Sequence, residues 1–504
     1  MAPLNRRRFL ETAAATVALP SLHSFAQAVS APAAALALHP GEHGPAIPAN
    51  YIGLSYEIEQ LADPSFFSAS NTGLIEQFRA LAPHGVLRLG GNTSDVGWWK
   101  PTPTSIPPAI NVRNTGVGEP NARLAYPITP QAIINLRAFL DATGWSCLFG
   151  INLGTNTPDR AADQAVFVAR TLGPKLDYFQ IGNEPDLFRT HLRDPKTWNA
   201  NTYFDEWSAM AQAIRARVPH ARFGLPDTAG NPDWYAVVVD RLLAMPPGTA
   251  PHIAALTHHY YFGGPPSNPN VNIQRLLQPD PHVLNLAHDI STAAARLSAG
   301  LHEPVPFRMS EGNTCYRGGK PGVSDVFASS LWAADYCLLL ASLGYCGVNL
   351  HGGSAKQVAN SLGGTLPGDL LLKNPSNPNE PHPRPFYTPI ADINGSYVAE
   401  PVFHGLRFAQ RFAGATMFRI SFNPGQVDAT AYAARLSSGQ PVVAIINKDS
   451  SRSLPLDLPG YGVGHIMTAK SLTSTTVEDL EPTNNREASS VPPATAMLLY
   501  STRA

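Results

Sequence analysis

At 504 residues, 44% of them hydrophobic, the chain exceeds one ordinary domain of about 150 residues. It suits an α/β barrel, which takes about 250 residues as one domain, with a smaller partner. The 36 basic and 37 acidic residues leave a formal charge of −1, which excludes the basic excess of nucleic-acid binders and favours a neutral substrate or one charged group read locally. Four cysteines (Cys147, Cys315, Cys337, Cys346) without CxxC spacing exclude a disulfide-dense scaffold and argue against a zinc site.

In chain order, residues 1–28 read as an export signal. Asn5-Arg6-Arg7-Arg8-Phe9-Leu10 resembles the twin-arginine type, an apolar run follows from Thr12 to Leu19, and Ala26-Gln27-Ala28 offers a small-residue cleavage site. An ordinary secretory signal is the alternative; either makes the protein periplasmic or secreted. Pro20 ends the run, and no later segment reaches the ~18 apolar residues of a membrane span. Residues 29–50 are expected to join a β-domain, with Ala34–His39 as an added strand.

From Tyr51 to about Gly353, short apolar runs alternate with helical patterns. Candidate strands are Tyr51–Glu59, Val86–Gly91, Ser146–Gly154, Tyr178–Glu184, Arg222–Pro226, Ile253–Tyr261, Pro306–Glu311 and Cys346–His351. Helical spacing marks Gln131–Thr143, Asp159–Leu172, Tyr203–Val218, Val283–Ala299 and Val326–Leu343 between them. This rhythm predicts an α/β fold with a (β/α)8 barrel over 51–392. An open doubly wound sheet is disfavoured because no glycine-rich dinucleotide fingerprint follows the first strand. Residues 354–392, rich in Gly, Pro and Asn, read as a long loop partly roofing the barrel mouth. Beyond a helix at Glu400–Phe412, short alternating runs (Met417–Phe422, Ala429–Arg435, Val442–Asn447, Ile466–Ser471, Ala496–Ser501) predict a C-terminal β-sandwich over 393–504.

Two strands end on a glutamate. Phe179-Gln180-Ile181-Gly182-Asn183-Glu184-Pro185 closes the fourth, where Pro185 has no N–H to continue a ladder. Pro306-Phe307-Arg308-Met309-Ser310-Glu311-Gly312 closes the seventh. Two carboxyls facing across a barrel mouth suit glycoside cleavage by double displacement. Glu311, ionised, attacks the anomeric carbon; Glu184 protonates the leaving oxygen and later takes a proton from water. The bland alternative is two buried, salt-bridged glutamates.

On these residues the chain resembles clan A retaining glycosidases, and more narrowly the family-79 glycoside hydrolases, the β-glucuronidase and heparanase group. The resemblance spans about Tyr51 to Gly353 and rests on Gly182-Asn183-Glu184-Pro185, Thr257-His258-His259-Tyr260-Tyr261, Glu311 to Gly319, and Arg88-Leu89-Gly90-Gly91-Asn92. It implies that a sixth-strand tyrosine donates to the nucleophile, and Tyr260 matches it. His258 shares its face by the period of two, while His259 and Tyr261 point the other way as packing. It implies that Arg88 faces Glu311, that Asn183 contacts the sugar 2-hydroxyl, and that Asn92 belongs to the second-strand turn of the site. Glu57 contacts sugar hydroxyls or forms a structural ion pair. Tyr316 with Gly318 and Gly319 would receive a uronate carboxylate; Arg317, an extra residue before the glycine pair, leaves that register open by one. Arg317 or Lys320 would supply charge directly, and Tyr387 is the candidate for a second carboxylate-contacting tyrosine. Trp98-Trp99 reads equally as a sugar-stacking wall or a loop anchor.

The sequence therefore reads as a retaining exo-β-glucuronidase. It would act on a glucuronic acid-containing glycan or glycoside, with no cofactor, no metal and no nucleic-acid partner. The alternatives are another clan A β-glycosidase (β-glucosidase or β-xylosidase), an endo-acting heparanase-like enzyme, or an inactive barrel that binds carbohydrate.

Overall fold

Eight parallel strands close in chain order into a barrel: Ile52–Glu57, Val86–Gly90, Ser146–Ile151, Leu176–Ile181, Arg222–Thr228, His252–Tyr261, Phe307–Asn313 and Val348–Gly352. These are the first to eighth strands below. The computed structural model describes residues 34–108, 125–361, 385–393, 395–482 and 486–502. The proposed signal at 1–28 and residues 362–384 of the long loop lie outside them.

Both faces of these strands are buried, one against the barrel axis and one against helices, as in parallel sheets generally. The helices begin where the sequence supplies caps. Thr129 and Thr157 accept the N–H groups of Ala132 and Arg160, each just before a proline at the first helical position, where a missing N–H costs nothing. Asn199 forms a reciprocal capping box with Thr202. Helices Thr72–Leu81, Asp233–Leu243, Pro281–Leu301 and Phe327–Ser342 also belong to the outer ring. The helix Pro401–Gln410 crosses Phe327–Ser342 closely: a Cβ on Gly405 would lie 2.2 Å from the Ser330 carbonyl oxygen. Among the described residues, no helix is long and apolar enough to cross a membrane.

A seven-stranded antiparallel sheet flanks the barrel, in the order Ala35–Ala46, Thr416–Asn423, Ala429–Arg435, Pro441–Asn447, Thr495–Ser501, Tyr461–Thr468, Glu478–Leu480. Ala35–Ala46, which precedes the barrel, thus pairs with Thr416–Asn423, the first strand of this sheet to follow it. Tyr432, Ala434, Val442, Ala444 and Ile446 share one core with the barrel helices. The alternate residues Ala433, Val443 and Ile445 pack under the ribbon Leu454–Pro455/Ser490–Val491, which forms the second layer. Lys448, whose side chain is 2% exposed, joins sheet to barrel through Asp335 at 2.8 Å. Tyr461–Thr468 begins before the predicted Ile466 because Gly462 and Gly464 interrupt its apolar pattern; a Cβ on Gly464 would meet the Tyr500 ring.

Candidate active site

Glu184 and Glu311 both sit at the C-terminal mouth of the barrel. Gly182 turns the fourth strand with φ +86°. Glu184 then adopts a left-handed conformation, φ 46° and ψ 52°, which is uncommon for a side chain with a Cβ. Its N–H donates to the Asp227 carbonyl at 3.0 Å, so the turn is held by the fifth strand and aims the carboxylate inward. A Glu184 oxygen, a Glu311 oxygen and a His259 ring nitrogen lie within 4.8 Å of one another.

Arg88, 1% exposed, organises the floor. It donates to Glu311 Oε2 at 2.5 Å, Ser55 Oγ at 3.0 Å, Asn183 Oδ1 at 2.8 Å, Asp227 Oδ2 at 2.6 Å and Gln180 Oε1 at 3.0 Å. The predicted Arg88–Glu311 contact is therefore present. Asn183 is engaged by Arg88 and by Asn92, whose Oδ1 accepts from it at 3.1 Å, and only Asn92 reaches the pocket wall. Asp227 also accepts from Ser310 and Gln180 and pairs with His259 at 3.1 Å. Burial opposes its charge, but Arg88 and His259 outweigh that and hold its carboxyl far below the usual range.

The sixth strand corrects the predicted orientation. Tyr261, not Tyr260, donates to Glu311 Oε1, at 2.9 Å. The Tyr260 hydroxyl donates to Asp280, which caps the helix Pro281–Leu301 by accepting from His282 N–H. His258 points to the helix layer. Its Nδ1–H donates to the His259 carbonyl at 3.2 Å, so its Nε2 accepts from Tyr345 at 2.9 Å. Burial lowers its pKa to about 4, leaving it neutral. His259 faces the axis, with Nδ1 3.0 Å from Glu184 Oε1 and Nε2 on Asp227. The period of two holds, with the opposite parity to the one expected. Both faces are buried and both carry a histidine and a tyrosine, so no apolar alternation marks the inner one.

Burial pushes the His259 pKa down, yet Asp227 and Glu311 overcome this and raise it to about 10. The ring is an imidazolium donating to Asp227 and to Glu184 Oε1. Burial likewise raises Glu311, but His351, His259 and Arg88 outweigh it and hold the carboxyl at about 2. The nucleophile position is therefore anionic, with Tyr261, Arg88, His259 and His351 around it.

Glu57 accepts from Thr93 N–H at 2.9 Å and Thr93 Oγ1 at 2.7 Å, and His351 Nε2 lies 3.5 Å away. Gly91, φ +74°, is required here, since its Cβ would fall 2.2 Å from the Glu57 carboxylate. His351 bridges Glu57 and Glu311, with Nδ1 3.6 Å from Glu311 Oε2. Asp227 and His351 are site residues that reading the sequence does not single out, and His259 and Tyr261 are site residues that it assigns to packing. Asp227 and His351 follow the same rule as the glutamates, a polar residue ending an apolar barrel strand; a fifth strand ending at Pro226 stops one residue short of Asp227.

Glu57, Asn92, Glu184, His259, Tyr261, Glu311 and His351 line a pocket of about 510 Å³, walled further by Tyr316, Arg317, Val358, Ser361 and Tyr387. Gly318 and Gly319, φ +83° and +87°, lie beneath Tyr387 rather than in the wall. The Gly318 carbonyl accepts from Phe386 and Tyr387 N–H, at 2.8 and 3.3 Å. A Cβ on Gly319 would sit 2.7 Å from Tyr387 N. Asn313 adds a bond to the Tyr387 carbonyl at 2.9 Å. Lys320 is tied to the Asn268 and Val271 carbonyls. Trp99 donates to Asp163 and packs on Phe167, which makes it a loop anchor, and both tryptophans are buried away from the pocket lining.

Glu184, His259 and Glu311 are close enough to hold a metal ion, but one there would have to displace the 3.0 Å contact between His259 Nδ1 and Glu184 Oε1. The arrangement suits nucleophilic attack by Glu311 and proton transfer at Glu184 Oε. Oxygens within 4.8 Å fall near the ~5–5.5 Å of retaining glycosidases and short of the ~6.5–9.5 Å of inverting ones.

No family model matches the chain. It is 26% identical to a curated β-glucuronidase of Aspergillus niger over 309 residues, 58% of this chain and 55% of that one. A curated β-glucuronidase of Neurospora crassa is also 26% identical, over 351 residues, 62% of this chain and 58% of that one. The chain thus spans a little over half the length of these relatives. Among solved structures, a 4-O-α-L-rhamnosyl-β-D-glucuronidase from Fusarium oxysporum aligns with TM-score 0.63 at 16% identity, over 93% of this chain and 99% of that one. A family 51 α-L-arabinofuranosidase from Bifidobacterium longum aligns with TM-score 0.64 at 12% identity, over 94% of this chain and 100% of that one. The fold is that of barrel glycosidases.

Proposed function

We propose that this chain is a retaining β-glycosidase, family-79-like, that removes terminal β-D-glucuronic acid from glycans or glycosides. The observation that carries the reading is the carboxylate pair: Glu311 held ionised by Arg88, His259 and His351, with Glu184 within 4.8 Å. Glu311 attacks the anomeric carbon as Glu184 gives its proton to the departing oxygen. Water then cleaves the glycosyl ester while Glu184 takes a proton back. Tyr261 steadies the nucleophile.

The likeness to β-glucuronidases supports glucuronate as the sugar. Its carboxylate would meet the pocket end formed by Tyr316, Arg317 and Tyr387, with Gly318 and Gly319 beneath. Glu57 and Asn92 would take hydroxyls. Exo action fits the buried wall of Glu57, His351, Val358 and Tyr387. Export belongs to the same reading, on the strength of Arg6-Arg7-Arg8-Phe9-Leu10; fusing residues 1–28 to a reporter and following its export tests it.

Comparing an aryl β-glucuronide with the matching β-glucoside and β-xyloside is the decisive assay. Clear preference for the glucuronide is expected, and indifference to the carboxylate would overturn the choice of sugar. Glu311→Gln should lower turnover on the order of 10⁴-fold; an unchanged rate would overturn the mechanism.

A further inference from the structure

The pocket is unequal across the catalytic pair. One arc of the mouth, built on the eighth, first and second strands, carries Glu57, His351 and Tyr387, each 3% exposed or less. The opposite arc, between Glu184 on the fourth strand and Glu311 on the seventh, is open. There Leu187, Ala229 and His282 line the pocket while exposed to solvent, Leu187 at 39%. An exposed leucine at the lip of a polar pocket contributes little to the core.

The shelf is fixed to the acid/base. Leu187 N–H donates to the Glu184 carbonyl at 2.9 Å. Ala229 N–H donates to Asp186 Oδ1 at 3.0 Å, tying the fifth-strand loop to the fourth. The His282 ring lies 5.6 Å from that of Tyr260. Because the proton of Glu184 goes to the glycosidic oxygen, the departing group lies on this arc. A second sugar there would need several hydrogen-bonding partners; the shelf offers a leucine, a methyl group, one imidazole and the Tyr260 ring, whose hydroxyl proton is taken by Asp280.

We propose that Leu187, Ala229 and His282 form the leaving-group subsite and that it selects a planar aromatic aglycone over a sugar. This rests on the glycosidase reading above. The test compares 4-methylumbelliferyl β-glucuronide, a glucuronosyl-glucose disaccharide and β-glucuronyl fluoride, whose leaving atom does not reach the shelf. The aryl glucuronide should be preferred to the disaccharide. Leu187→Ser and His282→Ala should each lower kcat/KM for the aryl substrate relative to the fluoride, about tenfold for Leu187→Ser and mainly through KM, as expected for a lost apolar contact. Fluoride turnover with an unchanged ratio, or a preference for the disaccharide, overturns the subsite alone. Failure to turn over any of the three overturns the glucuronidase reading and the subsite with it.

Discussion

Asp227 does not line the pocket, yet both carboxylates that face it depend on what Asp227 holds. It anchors Arg88, which meets Glu311, and His259, which meets Glu184. Tyr261→Phe removes a hydrogen bond to a charged group, a class of contact contributing about 1.5–3 kcal/mol. Its kcat is expected to fall roughly 10–100-fold, while Tyr260→Phe, which loses only the bond to Asp280, should leave steady-state constants within about threefold. His259 makes stability depend on pH. Its folded pKa, about 10, lies above the unfolded value near 6.5, so its contribution is complete below about pH 6.5 and is lost as pH rises toward 10. Thermal unfolding between pH 6.5 and 8.5 should show this decline, and His259→Asn should flatten it.

At the level of strands and turns, the sequence discloses position better than orientation. Glu184 and Glu311 were legible because an apolar run that stops on a carboxylate beside Pro185 or Gly312 delivers that carboxylate to the end of a buried strand. Tyr261 and His259 were not, since a strand buried on both sides gives no contrast between its faces. Gly318 and Gly319 were legible as a turn, but what they approach, the Tyr387 backbone, lies far off in sequence. Gly319→Ala, at φ +87° with Tyr387 N 2.7 Å from the new Cβ, should displace Tyr387 and raise KM. Gly322→Ala, at φ +72° with nothing within 4 Å, should cost only about 1 kcal/mol and leave KM unchanged. Steady-state kinetics and chemical denaturation of the pair check both.

Across the whole molecule, the repeat of strand and helix made the barrel readable, and apolar alternation made the flanking sheet readable. How the two join was not, because Lys448 and Asp335 look like surface charges in sequence. In the fold Lys448 is buried, and Asp335 also accepts from Thr430 and Tyr432, at 2.7 and 2.6 Å. Lys448→Met leaves Asp335 short of its cation, and losing one partner of a buried pair costs about 3–5 kcal/mol. Guanidinium unfolding should register that loss with KM unaltered.

Pairing Ala35–Ala46 with Thr416–Asn423 sets an order of events during synthesis. A ribosome must finish the entire barrel before the earliest described strand has anything to hydrogen-bond with, so that strand waits unpaired while the strands after it fold. A nascent chain released ahead of Thr416 would carry Ala35–Ala46 with no strand to pair with, whereas one released a little later could begin to zip it shut.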